Sequence, residues 1–339
     1  MNLGRSDIVE LLNGRGMPDE ELFAAARAAR FAHFGENVVV RGVIEVTNLC
    51  RVNCTFCPMR RDNTAQNATY LLDDNSLLRT VEQIHETGIN VVFLQGGEVP
   101  QTTSIVERVA PRILDLYDGA VEILLNLGSK SHSEYLRLKN AGGFSYILKH
   151  ETANADLYRS LKFESLEDRM DCLRDLLAVG FKVGTGSIIG LPGQTVEDIA
   201  DDILLAKTSG THMVSASPFV PAPNTPLVNN PRGSVIFTLR SIAISRLLMP
   251  EALIPSVSAL EANSPGGQNA GLHAGANVMT VNFTPRQQQG DYLIYGVNRY
   301  VVTIRHVQEL LKANGLRMGS SHWVPRQPVG MAVRAHPRN

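Results

Sequence analysis

Residues 38–63 read VVVRGVIEVTNLCRVNCTFCPMRRDN, and this stretch decides the fold. Its first ten residues, Val38–Thr47, are rich in β-branched side chains and form a candidate strand. The strand runs directly into three cysteines spaced Cys50-x3-Cys54-x2-Cys57. A reactive loop at the end of a first strand suits the C-terminal face of a barrel, where active sites sit. An open doubly wound sheet usually carries a Gly-rich phosphate loop at this point. Here Asn48, Leu49 and Cys50 occupy it instead.

Downstream, apolar β-branched runs alternate with helix-period segments. The further candidate strands are Asn90–Gln95, Val121–Leu127, Ser145–Lys149, Lys182–Ile189, His212–Pro218, Leu253–Ser258 and Ala276–Asn282. Amphipathic stretches lie between them, at 74–85, 104–117, 131–141, 166–178, 196–208 and 234–248, and a last helix spans 299–314. Strands alternating with helices imply βαβ units and a parallel sheet. Eight of them predict an α/β fold, a (β/α)8 TIM-type barrel with an N-terminal helical extension. Residues 1–37 are expected to form helices packed on the barrel, with Asp19–Glu21 opening the second and Gly35 ending it. The barrel is expected over 38–325. Residues 326–339, rich in Pro, Arg and Gly, are expected to be a disordered tail.

The chain has 339 residues, 44% of them hydrophobic, enough for a substantial core without disulfide staples. Its 32 basic and 33 acidic residues nearly cancel and form no basic run, which argues against nucleic acid as a partner. No apolar run is long enough for a membrane helix, and the N-terminus lacks a signal-peptide core, so a cytoplasmic protein is expected. Three of the four cysteines fall within eight residues, which in a cytosolic chain favours a metal site over a disulfide framework. The fourth, Cys172, stands alone in a helical stretch as a small hydrophobe. Thiolates are the usual ligands of iron–sulfur clusters. Three of them on a four-iron cube leave one iron open to chelate a substrate. Structural zinc wants four ligands, usually as two paired motifs, and no second Cys-x2-Cys exists. A non-catalytic iron–sulfur or zinc protein remains the alternative from a different class.

The Cys-x3-Cys-x2-Cys spacing, with Phe56 before the last cysteine, resembles the signature of the radical SAM superfamily. The chain resembles its biotin synthase-like branch, and within it the [FeFe]-hydrogenase maturase HydE and the methylornithine synthase PylB. Further matching segments are LQGGE (94–98), KHETANADLYRSL (149–161), GLPGQT (190–195), PFVPAPNTPL (218–227), LIPSVSALE (253–261) and HAGANVMTVNFTP (273–285). The resemblance implies a [4Fe–4S] cluster on Cys50, Cys54 and Cys57. It implies that the open iron holds the amino and carboxylate groups of S-adenosyl-L-methionine (SAM). Reduction would then release a 5′-deoxyadenosyl radical that acts on a small-molecule substrate. A flavodoxin or ferredoxin is the implied electron donor, and a HydE-type maturase working on an organometallic hydrogenase-cofactor precursor is an alternative.

Roles follow from the resemblance, residue by residue. Gly96 and Gly97 let backbone approach the ligand, and Glu98 lies near the SAM amino group. Glu151 accepts hydrogen bonds from the ribose hydroxyls. Arg169 grips the SAM carboxylate in a two-pronged contact. Phe56 stacks near the adenine, and Gly186–Gly190, Ile189 included, lines the adenine side. A general acid or base is expected at His273, with Ser256 and Ser258 contacting substrate. Further substrate contacts are expected from Gln95, Asn126, Ser129, Ser215, Ser217 and Thr284. The chain departs from both relatives at Val99, where they tend to carry an acidic residue, and from methylornithine synthase at Ala259, where that enzyme carries one. An ammonium-bearing substrate such as lysine would lack its counter-charges there. No cysteine follows Cys172, so a cysteine-held auxiliary cluster near the C-terminus is excluded.

Overall fold

The computed structural model describes residues 3–63, 68–296 and 299–325. Among the described residues there are eight strands: β1 (Asn37–Thr47), β2 (Val91–Gly96), β3 (Glu122–Asn126), β4 (Ser145–Ile147), β5 (Lys182–Ile189), β6 (Met213–Pro218), β7 (Val278–Asn282) and β8 (Arg317–Gly319). The first seven form one parallel sheet in the order β6-β5-β4-β3-β2-β1-β7. Its curl brings β6 near β7, and the segment 253–256 joins the two. Leu253 bridges Met213 and Pro255 bridges Val278, both in parallel. The expected eight-position barrel is therefore present, with its seventh position reduced to two bridges. Pro255 has no N–H to give a ladder, which explains the reduction. Side chains replace the missing rungs. Fully buried Arg246 donates to the carbonyls of Gly275, Pro250 and Ala252 and to Asn277 Oδ1, at 2.7–3.0 Å. Asn277 Oδ1 also accepts the Ile254 N–H at 2.8 Å.

β1 shows why a barrel strand reads as continuously apolar: both faces are buried. Val38, Val40, Ile44 and Val46 pack outward against the helices. Val39 and Val43 point inward, with Val91, Phe93, Leu124, Met213, Leu253 and Val278. Phe34 and the partly buried Trp323 pack on this inner cluster. β8 was not expected. It pairs Asn37, Val38 and Val39, the residues of β1 that precede its register with β2. The two N-terminal helices, Arg5–Leu12 and Asp19–Phe34, pack against the helices Val196–Thr208 and Val235–Leu248. The second ends at Gly35, whose φ of +56° favours glycine. The last helix is shorter than expected, Ile304–Ala313, because Thr303 caps it through the His306 N–H. The expected tail, 326–339, lies outside the described residues. No described helix is long and apolar enough to cross a membrane.

Candidate active site

The cysteine loop is anchored at its root. Buried Asn48 donates to the carbonyls of Ala68 and Asp291 and accepts the Tyr70 N–H, at 2.8–3.0 Å. Further along, the Thr55 N–H bonds the Leu161 carbonyl at 2.8 Å and the Arg61 N–H bonds the Val52 carbonyl at 3.0 Å. The loop thus rests on the helix Ala155–Lys162 while closing on itself. Cys50, Cys54 and Cys57 are free thiols lining one cleft at the C-terminal ends of the strands. Burial pushes the Cys54 thiol up to about 11 and raises Cys57 further. Both are neutral thiols until a metal displaces their protons. Among the described residues no three His, Cys, Asp or Glu side chains close on a single point as they would around one ion. The three thiols share a wall of the cleft instead.

β2 delivers the second wall. A Cβ on Gly97 would lie 1.9 Å from the Leu49 carbonyl oxygen, so only glycine lets the two loops touch. The next residue, Glu98, gives its N–H to Cys50 Sγ at 3.3 Å. Its carboxylate takes Arg51 Nη2 at 2.5 Å and the Ser129 N–H at 2.7 Å. Gly97→Ala is expected to push the cysteine loop away, at about 1–3 kcal/mol for overpacking. Iron and sulfide bound per chain after reconstitution should fall well below wild type. Wild-type iron content in the variant would sink this account.

β4 and the two helices after it supply the charged wall. Lys149 Nζ and Glu151 Oε2 lie 3.1 Å apart, in a contact without hydrogen-bonding geometry. Burial disfavours both charges. Even so, Glu151 raises Lys149 above the usual lysine range, while Lys149 and then Lys162 hold Glu151 below the usual carboxylate range. Arg169 is 4% exposed. Its Nε donates to the Tyr158 hydroxyl at 2.8 Å, and its Nη2 lies 3.5 Å from Glu164. Arg169 Nη2 and Glu151 Oε2 are buried in residues lining the same cleft and make no well-formed hydrogen bond, each facing only an opposite charge, Glu164 at 3.5 Å and Lys149 at 3.1 Å. Buried polar atoms with hydrogen-bonding capacity to spare are where a ligand can complete the bonding.

Most expected site residues converge on this cleft: Cys50, Cys54, Cys57, Phe56, Gly96, Gly97, Glu98, Glu151 and Arg169 all line it, as do Gln95, Asn126 and Ser217. Ile189 does not. Its side chain packs outward with Ile199 and Ala200, and Ile188 takes the wall because inward positions on β5 alternate. Ser256 and Ser258 also miss the cleft. Segment 253–256 pairs with Met213 and Val278, the first residues of β6 and β7, far from the mouth. There Ser256 Oγ donates to the Gln268 carbonyl at 2.7 Å, and Ser258 opens the helix Ser258–Asn263. His273 is exposed at the end of the helix Gly267–His273, with its carbonyl taken by Arg27 at 3.0 Å. Ser129 contributes only its N–H to Glu98, Thr284 Oγ1 accepts the Glu45 N–H at 2.8 Å, and Ser215 does not line the cleft. Ala259 is fully buried away from the cleft.

Residues not expected from sequence also line the cleft: Lys149, Lys162, Tyr292, Ile294 and Tyr295. Tyr292 accepts a hydrogen bond from Gln95 at 3.0 Å. Lys149 was within reach of sequence reasoning. It continues the inward alternation Ser145, Ile147, Lys149 past the end of β4.

A parallel barrel with three free cysteines after β1, faced by a buried arginine and glutamate, fits an enzyme of the cluster-and-SAM type. Residues 44–206 match the family model of the radical SAM superfamily, and the chain belongs to that superfamily. It is 36% identical over 285 residues to the [FeFe] hydrogenase maturase subunit HydE of Thermotoga maritima, covering 84% of this chain and 81% of that protein. It is 27% identical to 3-methylornithine synthase of Methanosarcina barkeri, over 79% of this chain and 76% of that one. The crystal structure of methylornithine synthase, PylB, superposes with a TM-score of 0.81 at 24% identity, covering 94% and 95% of the two chains. Membership of the superfamily implies SAM and an iron–sulfur cluster as cofactors, and the free thiols and buried charged groups of the cleft fit both.

Proposed function

We propose that this cleft binds SAM on a [4Fe–4S] cluster held by Cys50, Cys54 and Cys57, and that the enzyme turns it on a small, anionic organic substrate. One observation carries the reading. Arg169 Nη2 and Glu151 Oε2, both buried and both without a hydrogen bond, share a cleft with three free thiols. When bound, the cluster and SAM supply a 5′-deoxyadenosyl radical on one-electron reduction by a flavodoxin or ferredoxin. The chain's residues do the rest. Arg169 holds a carboxylate, with its plane fixed by the Tyr158 hydroxyl. Glu151 takes ribose hydroxyls, and Phe56 and Ile188 flank the base. The barrel wall excludes water from a reactive intermediate. The cytoplasm suits a chain whose four cysteines are all free.

The charge balance of the cleft sets the substrate class. Glu98 is neutralised by Arg51. Glu151 and Glu164 then face Lys149, Lys162 and Arg169, one positive charge in excess. With Arg169 given to the SAM carboxylate and Lys162 facing Glu164, Lys149 is the cation left to receive an anionic group of the substrate, beside Gln95, Tyr292 and Asn126.

The test is anaerobic reconstitution followed by SAM and dithionite, with 5′-deoxyadenosine read by mass spectrometry. Its formation supports the reading, and failure to bind either cluster or SAM would overturn it. A panel of small carboxylates can then be screened for stimulation. Lys149→Met should weaken the response to an active carboxylate by roughly 10- to 100-fold, as for a lost charged hydrogen bond. Because Lys149 also faces Glu151 at 3.1 Å, SAM affinity is read in parallel, and the loss of response should exceed any loss of SAM binding. A variant with an unchanged response would remove Lys149 from the substrate site. A second reading is favoured by the 36% identity to a HydE maturase over most of the chain. In it the substrate is an organometallic precursor of the hydrogenase cofactor. It is tested by asking whether the protein restores activation of an apo-hydrogenase in an assay lacking HydE.

A further inference from the structure

Glu151 sits on strained backbone. Its φ is +63°, and the Thr152 N–H bonds back to the His150 carbonyl at 2.7 Å, closing a three-residue turn around it. Turns of this kind with positive φ are rare and strained. Such strain persists only where the surroundings over-determine it. On one side β5 does so: the Glu151 N–H bonds the Gly186 carbonyl at 3.0 Å, and the Ile188 N–H bonds the Glu151 carbonyl at 2.9 Å.

On the other side a single carboxylate does so. Asp202, on the helix Val196–Thr208, is 1% exposed. Its Oδ1 accepts the Ala153 N–H at 2.5 Å, its Oδ2 accepts the Gln194 side chain at 3.1 Å, and the Thr152 hydroxyl also bonds it. Gln194 is itself fully committed. Its Oε1 accepts the Gly190 N–H at 2.7 Å, and its Nε2 also donates to the Ile188 carbonyl at 2.9 Å. Asp202 thus ties the turn that carries Glu151 to the segment that carries Ile188, two walls of the cleft, without lining the cleft itself. The nearest cationic candidate is His150, 4.0 Å away, and burial keeps that imidazole neutral. Burial pushes the Asp202 carboxyl up to about 8 against the pull of the Ala153 and Thr152 hydrogen bonds, so it holds the turn through hydrogen bonds and not as half of an ion pair.

We infer that Asp202 is a positioning residue for ribose recognition, locking the strained turn so that both Glu151 oxygens face the ribose hydroxyls. The inference rests on the proposed reading of Glu151 as the ribose ligand.

Asp202→Asn is the sharpest variant because it keeps the shape. The asparagine oxygen can accept Ala153, but its NH2 then meets the Gln194 NH2, and Gln194 cannot flip without abandoning Gly190. The measurement is the dissociation constant of reconstituted protein for SAM and for its 2′-deoxyribose analogue, with cluster content and melting temperature read in parallel. Wild type should prefer the ribose form. Asp202→Asn should bind SAM roughly tenfold more weakly and lose most of that preference while keeping its cluster. A merely structural role would not move the ratio. Thr152→Val removes one donor to the same carboxylate and should shift the ratio in the same direction by less, which keeps the test open if Asp202→Asn folds poorly. An unchanged ratio in both variants overturns the inference. Glu151→Gln separates the two levels: if it leaves the ratio intact, the ribose assignment fails and the positioning role fails with it.

Discussion

Cys54→Ala should yield a colourless protein after anaerobic reconstitution, without SAM cleavage. Two thiolates cannot retain a four-iron cube that three hold with one corner open. Cys54 is also the most buried of the three, 9% exposed, so water replaces its sulfur poorly. Even residues that merely support a metal ligand cost about 10- to 100-fold in metal affinity or activity when lost. Loss of a ligand itself should exceed that, so 5′-deoxyadenosine formation should fall more than about 100-fold. Cys172→Ala is the matched control. Cys172 lies partly buried on the helix Leu166–Val179, with its sulfur 3.8 Å from the Lys130 carbonyl and outside the cleft. Its loss should leave iron content unchanged and cost only about 1 kcal/mol of stability. If Cys54→Ala retained the colour and Cys172→Ala lost it, the ligand assignment would be wrong.

The sequence carried the barrel because its strands are buried on both faces and announce themselves as apolar runs between amphipathic helices. It carried the cysteines because their chemistry is local: three thiols on one loop need no tertiary information. Glu151 and Arg169 were legible through the KHETANADLYRSL segment and its spacing to the helix beyond. What failed was inward and outward placement. Ile188 and Ile189 look alike in sequence, and only the strand alternation decides which faces the cleft. Ser256 and Ser258 were placed at a barrel mouth on the assumption of a full seventh strand. Pro255 cuts that strand to two bridges, and the chain leaves the barrel near its floor. His273 rested on residue type alone, and the helix that ends there faces solvent. Tyr292 and Tyr295 lie in a loop after β7 with no periodic signal, and Arg299, expected to open the last helix, lies in that loop because the helix starts only at Ile304. Nothing local in the sequence pairs Arg299 with Glu45, 254 residues away.

That pair should dominate the stability of the barrel mouth. Glu45 on β1 is 3% exposed and the Arg299 side chain 8%. The two form a two-pronged contact: Nη1 to Oε1, and Nη2 to Oε2 at 2.7 Å. Asn282 donates to the same carboxylate at 3.0 Å, and Arg299 Nη2 also reaches the Gln289 carbonyl at 3.1 Å. The guanidinium lies 5.4 Å over the ring of Tyr292, which lines the cleft. Burial would lower the Arg299 pKa, but the Glu45 carboxylate more than offsets it and the net direction is up. Arg299→Met should therefore strand a buried carboxylate at a cost of about 3–5 kcal/mol. That predicts a melting temperature lower by roughly 5–10 °C. Glu45→Met should cost a similar amount by stranding the cation. The double variant should lose clearly less than the sum, because desolvating two charges is what the pair itself costs, and two methionines avoid it. Arg299→Met should also weaken substrate stimulation, because Tyr292 loses the stacked cation that fixes it opposite Gln95. Additive losses in the double variant would mean that Glu45 and Arg299 act through separate partners. The β7 loop would then be held over the cleft by Asn282 and Gln289 instead.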